Sequence, residues 1–267
     1  MNYIQLTVQA TTNDQEIVIG LLEDRGTTGF EQQENRLIAY FDEQDFNQTE
    51  IEELLKEYPF HIEVIKEQNW NQVWESNFRP VVVDDFCAIR ADFHEPINST
   101  EYEIIITPKM SFGTGHHATT YMMVQQMRYL NFDDKQVFDF GTGTGILAIL
   151  AEKLGAVSIT ATDIDEWSIN NAAENIERNN CHHIHLYQSS GVPAAEKFDI
   201  ILANINKNVI LESLPSLHQV LTVNGQLLLS GLLAEDEQDI TKACESLHLT
   251  FQNKMQRQNW ISLLFSK

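Results

Sequence analysis

Gly141, Gly143 and Gly145 stand at alternate positions in the run Val-Phe-Asp-Phe-Gly-Thr-Gly-Thr-Gly-Ile-Leu, residues 137–147. Glycine tolerates positive φ and carries no Cβ, so such a turn lets a ligand lie directly against the main chain. Apolar, β-rich residues precede the turn and an Ala/Leu-rich segment follows it, which reads as strand, tight loop and helix start. About twenty residues further on, Ser158 to Ile164 reads as a second strand ending in Asp163 and Asp165. An acid at that place accepts hydrogen bonds from ribose hydroxyls. Loop and acid together suit a ligand that contains a nucleoside.

Ile146 occupies the position where the dinucleotide fingerprint G-x-G-x-x-G requires its third glycine. The spacing G-x-G-x-G is instead the loop of Rossmann-like enzymes that use S-adenosyl-L-methionine (AdoMet). A second glycine-rich loop lies in Lys109-Met-Ser-Phe-Gly-Thr-Gly-His-His-Ala-Thr-Thr120, just before a helix that runs to Tyr129. It is placed to fold over a cofactor, with a hydroxyl at the helix start as donor. His116 and His117 suggest a metal site or a general base. Adjacent histidines diverge on most backbones and no third ligand is in sequence reach, so no metal is expected.

The elements that must position these groups alternate regularly. After the unit at 137–155, closed by Gly155, Asp165 caps a helix with Ile169, Ala172, Ala173 and Ile176 predicted on its buried face. Ile184–Gln188 and Phe198–Ile205 are the next strands, and the latter delivers Ala203-Asn204-Ile205-Asn206 to the ligand edge. A helix at Val209–Leu221, a strand at Gln226–Leu233, a helix at Glu235–Leu247 and a hairpin, Thr250–Gln256 with Trp260–Phe265, complete the pattern. This predicts a doubly wound α/β sheet with an antiparallel strand at its edge.

Residues 1–66 read β-α-β-β-α-β, the ferredoxin-like split motif. Asn13 with Glu16, and Asn47 with Glu50, are candidate capping boxes. The first opens a helix whose inner face would be Ile17, Val18, Leu21 and Leu22, with Gly26 as its stop. Residues 67–80 carry Trp70, Val73, Trp74 and Phe78 at helical spacing, which predicts a helical linker. The main domain then occupies residues 81–267, beginning with β-like stretches at Val81–Ala91 and Tyr102–Thr107.

The formal net charge of -22 sets a phosphate backbone against the whole surface, so nucleic acid is not an expected direct partner. Residues 1–66 hold fourteen Asp and Glu against four Lys and Arg, a net of -10. A basic protein is the partner such a unit attracts. No eighteen-residue apolar run or signal-peptide pattern is present, so no membrane span is expected. Cys87, Cys181 and Cys244 have no metal spacing and read as free thiols of a reducing cytoplasm.

With these residues assembled, the chain resembles the ribosomal protein L11 methyltransferases, the PrmA family. Four signatures carry the likeness: Phe-Gly-Thr-Gly-His-His-Ala-Thr-Thr at 112–120, Asp-Phe-Gly-Thr-Gly-Thr-Gly-Ile-Leu-Ala-Ile at 139–149, Asp-Ile-Asp with Asn-Ala-Ala-Glu-Asn at 163–175, and Ala-Asn-Ile at 203–205. The first is the most specific of them. The resemblance implies a Rossmann-like, doubly wound, seven-stranded methyltransferase sheet preceded by a small ferredoxin-like domain that recognises the substrate. It implies AdoMet-dependent methylation of lysine or N-terminal amines of a basic large-subunit ribosomal protein. Separately from the resemblance, a monomer is expected. It also implies that Phe112, Gly113, Thr120, Gly141, Gly143, Asp163 and Asn204 bind the cofactor and that Asn204 serves catalysis. Thr142 and Thr144 stand where the family usually has Cys and Ser, and Asn206-Lys207-Asn208 where it usually has small residues and a proline. The alternatives are a methyltransferase for another protein or a small molecule, and a non-catalytic nucleotide-binding module.

Overall fold

The computed structural model describes residues 3–23, 25–65, 79–107 and 117–267. The chain divides into two compact units, Met1–Asn77 and Phe78–Lys267. The linker helix expected at 67–80 falls almost wholly outside the described residues.

The first unit contains β1 (Tyr3–Gln9), α1 (Thr12–Leu22), β2 (Thr27–Gln33), β3 (Arg36–Asp42), α2 (Gln48–Leu54) and β4 (Phe60–Ile65). Its sheet has the order β2-β3-β1-β4 with antiparallel neighbours, the ferredoxin-like arrangement. Alternation along β1 buries Ile4, Leu6 and Val8 against Leu22, Leu37, Phe41, Ile51 and Leu55. The Asn47 side chain accepts from the backbone N–H of Glu50 and opens α2 as expected. Asn13 lies within α1 rather than ahead of it: the helix is capped at Thr11, two residues before the expected cap, and the Thr11 hydroxyl donates to Asp14 Oδ2 at 2.6 Å. Ile17, expected inside, is 57% exposed; Val18 and Leu22 are the residues buried.

The second unit opens with β5 (Val81–Val83), β6 (Cys87–Ala91) and β7 (Tyr102–Ile106), a three-stranded sheet. Arg90 anchors it from within, donating to both carboxylate oxygens of Glu103 and to the carbonyls of Ala91 and His94. The main sheet and its helices follow: α3 (Ala118–Met127), β8 (Gln136–Phe140), α4 (Ile146–Lys153), β9 (Ser158–Asp163), α5 (Glu166–Arg178), β10 (Ile184–Gln188), β11 (Phe198–Asn204), α6 (Lys207–Val220), β12 (Leu221–Leu233), α7 (Glu237–Ser246), β13 (Thr250–Arg257) and β14 (Trp260–Ser266).

The seven strands lie in the order β10-β9-β8-β11-β12-β14-β13. The first five are parallel, and β14 is antiparallel to both of its neighbours. The hairpin therefore closes the sheet with its last strand inside and β13 at the edge. Strand β14 carries buried Ile261, Leu263 and Phe265, which need cover on both sides, whereas β13 is mostly exposed and polar and suits an edge. The chain reverses direction across the sheet at β8, with β9 on one side and β11 on the other. Ligands of open α/β sheets bind at such a switch point, outside the carboxyl ends of the strands.

Helix α5 buries part of the face expected of it, with Ala172 inside and Ile176 packed against the core, and adds a polar face. Ser168, Asn171, Ala172 and Asn175 point inward, and Ala173 is exposed. The polar face is buried because it satisfies an open strand edge. Asn175 accepts from the Thr107 N–H at 2.7 Å, and Asn179 donates to the Ile105 carbonyl and accepts from its N–H. Asn175 also donates to the Thr144 carbonyl, which ties the helix to the glycine loop. Unpaired backbone groups there would cost more than burying two well-bonded amides.

Candidate functional site

Strand β8 ends at Phe140, and the loop to α4 turns through three left-handed glycines, with φ of 76°, 56° and 82° at Gly141, Gly143 and Gly145. Both Gly141 N–H and Thr142 N–H donate to the Thr162 carbonyl at 2.9 Å, which pins the loop to β9. Gly143 N–H donates to Asp163 Oδ2 at 2.9 Å, and Asp165 N–H to Asp163 Oδ1 at 3.1 Å. Each carboxylate oxygen retains lone pairs for further donors. Asp165 in turn caps α5, accepting from the N–H groups of Trp167 and Ser168.

Gly141, Gly143, Asp163 and Asn204 line one cavity of about 830 Å³, within the size range of cofactor sites. Thr120 lies behind it, 2% exposed, with its hydroxyl accepting from Asn204 Nδ2 at 3.3 Å. Asn204 Oδ1 is buried and has no hydrogen-bond partner among the described residues. Phe112 and Gly113, the other residues expected at the site, lie outside the described residues, as does His116.

Sequence reasoning missed much of the lining. Trp260, from the far end of the chain, and His117 share one wall, their rings edge to face at 4.6 Å. His117 caps α3: its Nδ1 accepts from the Thr119 N–H and lies 2.7 Å from the Thr119 hydroxyl. Ile164 and the segment Ser189–Val192 form another side, and Val209, Glu212, Ser213 and Ser216 project from one face of α6. Gly231 also lines the cavity, and a lone glycine inside an apolar strand was a legible signal of close backbone approach. No group of three potential metal ligands converges among the described residues.

Among the described residues, the cavity lining contains the acids Asp163 and Glu212 and no lysine or arginine. From these residues a pyrophosphate would find no counter-charge, whereas a sulfonium and a pair of sugar hydroxyls match the donors and acceptors present. The residues therefore fit AdoMet better than a dinucleotide.

A seven-stranded sheet of this order, with a glycine loop at its switch point and an acid at the end of the next strand, defines a Rossmann-like methyltransferase. A methyltransferase of Pyrococcus furiosus has the same fold, with 23% identity, a TM-score of 0.52, and coverage of 61% of this chain and 89% of that one. The chain belongs to the ribosomal protein L11 methyltransferase (PrmA) family, whose model matches residues 2–267. The ribosomal protein L11 methyltransferase of Porphyromonas gingivalis is 37% identical across 100% of this chain and 98% of its own. That of Phocaeicola vulgatus is 35% identical, with 99% of each chain covered. The crystal structure of a ribosomal protein L11 methylase from Lactobacillus delbrueckii subsp. bulgaricus is 32% identical, with a TM-score of 0.67 over 71% of this chain and 99% of that one.

Proposed function

We propose that this methyltransferase uses AdoMet to methylate amine nitrogens, lysine side chains or the N-terminus, of ribosomal protein L11. The observation that carries the reading is the cavity that joins a bare glycine loop, the Asp163 carboxylate and the Asn204 amide, with no lysine or arginine in its lining among the described residues. The family's named substrate supplies the target.

When bound, AdoMet supplies an electrophilic methyl on a sulfonium leaving group, so the chain needs no nucleophile of its own. Asp163 accepts from the ribose hydroxyls, and Gly141 and Gly143 let the ligand approach the backbone. Thr120 fixes the Asn204 amide, and the Asn204 oxygen accepts from the incoming amine and aims its lone pair. Trp260 and His117 provide an aromatic wall along which an alkylamine passes. Phe112 and Gly113 are assigned to cofactor contact by the family pattern alone.

The amine must arrive unprotonated. At pH 7 this costs about 4.6 kcal/mol for a free lysine and about 1.4 kcal/mol for an N-terminal amine. A desolvated site beside a positive sulfonium lowers either amine pKa and reduces that cost, so no dedicated base is required. His117 suits the role poorly, because Nδ1 is engaged as the α3 cap.

The acidic N-terminal domain, residues 1–66, serves to recognise the basic substrate, with residues 67–80 as the connection and 81–267 as the catalytic domain. The enzyme acts as a monomer in the cytoplasm, without direct nucleic-acid or membrane contact. Among the described residues no helix is long and apolar enough to cross a membrane. The test is incubation with labelled AdoMet and purified ribosomal proteins, then mass mapping. Label on L11 amines is expected. Label on a different protein, or only on small molecules, would overturn the substrate assignment and leave the cofactor assignment intact.

A further inference from the structure

Asp139 has no part in the chemistry above, yet it sits directly under the loop that would receive the cofactor. It is the penultimate residue of β8 and fully buried. Its neighbours at the same level are apolar, Ala161 on β9 and Leu202 on β11. Oδ2 accepts from the Thr142 hydroxyl at 2.6 Å, while Oδ1 has no hydrogen-bond partner among the described residues. A buried carboxylate with one oxygen unsatisfied is costly, and protonation removes most of that cost.

The surrounding groups set the balance. Burial pushes the Asp139 carboxyl up to about 7, opposed by the Thr142 hydroxyl and by the Ala148 N–H in the first turn of α4, and reinforced by the negative charge of Asp163. Among the described residues, Asp163 is the one charged group acting on it from the elements packed around it. Two carboxyl groups thus hold consecutive loop residues, Asp139 through the Thr142 side chain and Asp163 through the Gly143 N–H. That loop lines the cavity at Gly141 and Gly143, so a permanent positive charge seated there would be brought toward both carboxyls, and an opposite charge favours the ionised form of a carboxyl.

We propose that Asp139 is a positioning residue that exchanges its proton for the positive charge of the cofactor, so that seating AdoMet on the glycine loop releases a proton from this carboxyl to solvent. The inference rests on the AdoMet reading above. The ionised Asp139 then stabilises the sulfonium electrostatically and holds the Thr142 side of the loop, while the demethylated thioether product, having lost that charge, lets the carboxyl take its proton back. Cofactor and product are thereby distinguished at the loop rather than at the methyl.

The experiment is calorimetric titration of the full-length protein with AdoMet and with S-adenosylhomocysteine, in buffers of different ionisation enthalpy, for wild type and Asp139→Asn. If the bound cation lowers the carboxyl by about two units, wild type releases about half a proton per AdoMet at pH 7 and binds about ninefold more tightly at pH 8 than at pH 6. Asp139→Asn should lack both effects. The α-amine common to both ligands titrates in this range as well, and the variant serves as its reference. S-adenosylhomocysteine should show no difference between wild type and variant. Equal proton release for the two ligands on wild type would overturn the proposal even if the variant failed to fold. So would equal release by wild type and variant. Absence of any AdoMet heat would refute the cofactor reading itself, a result distinct from binding without proton release.

Discussion

The main chain of Gly231 passes so close to Ile205 that a Cβ on residue 231 would overlap the Ile205 carbonyl oxygen, and its φ of 82° is left-handed. A Cβ on Gly141 would likewise overlap the Ile205 side chain, so Ile205 is gripped between the glycine loop and β12. This grip places Asn204, one residue earlier, at the end of the cavity.

Gly231→Ala is therefore expected to cost about 2–4 kcal/mol, from strain and a displaced β11 terminus, and to weaken AdoMet binding. Denaturant titration and calorimetry read both effects. Gly20→Ala is the opposite case: a Cβ there meets nothing within 4 Å, inside α1. It should stabilise the first unit by about 0.5–1 kcal/mol.

The hydrogen bond from Asn204 Nδ2 to Thr120 Oγ1 makes the two residues one device. Asn204→Ala should lower kcat about a hundredfold, in line with losing an oriented polar group at a reacting atom. Thr120→Val leaves the amide unanchored and should lower kcat about tenfold. The double variant should resemble Asn204→Ala alone, because Thr120 acts through the amide. Multiplicative losses in steady-state kinetics would show that the two residues act separately.

Asp139 also gives ligand-free stability a pH dependence. Its folded value of about 7 lies above the ordinary aspartate value of 3.8, so above pH 4 the folded protein retains a proton that the unfolded chain has lost. Stability then falls as pH rises from 5 toward 7 and levels off above 8. Carboxylates held low by partners, such as Glu103 beside Arg90, act only at lower pH, where stability is lost as they protonate. The melting temperature of wild type should decline between pH 5 and 8, whereas that of Asp139→Asn should stay nearly level.

The three thiols are buried, and burial pushes Cys87 and Cys244 up to about 12 and Cys181 up to about 11. Almost no thiolate exists at pH 8, so a disulfide reagent should leave the native protein unlabelled over minutes. Three equivalents should react at once in denaturant. Rapid labelling of one native thiol would contradict the packing around it.

Much of the fold was legible because its signals are local. The left-handed glycines, the Asp165 cap and the apolar parallel strands each follow from residue type and near neighbours. Misreadings arose where a local rule met a distant partner. The Asn face of α5 turned inward because β7, far away in sequence, presented an unpaired edge. The order of the closing hairpin, which residue pattern left open, was decided by the apolar residues of β14, which required two covered flanks.

The candidate site divides the same way. Residue types and spacing alone determined the glycine loop, the Asp163 carboxylate at the following strand end and the Asn204 strand terminus, since backbone freedom and strand periodicity are written within a few residues. Only the tertiary structure brought Trp260 against His117, seated Ile205 between Gly141 and Gly231, and closed Asp139 off from water. Those relations depend on strand order and on which side chains exclude solvent. Both are settled by the packing of the whole sheet, which no short stretch of the chain encodes.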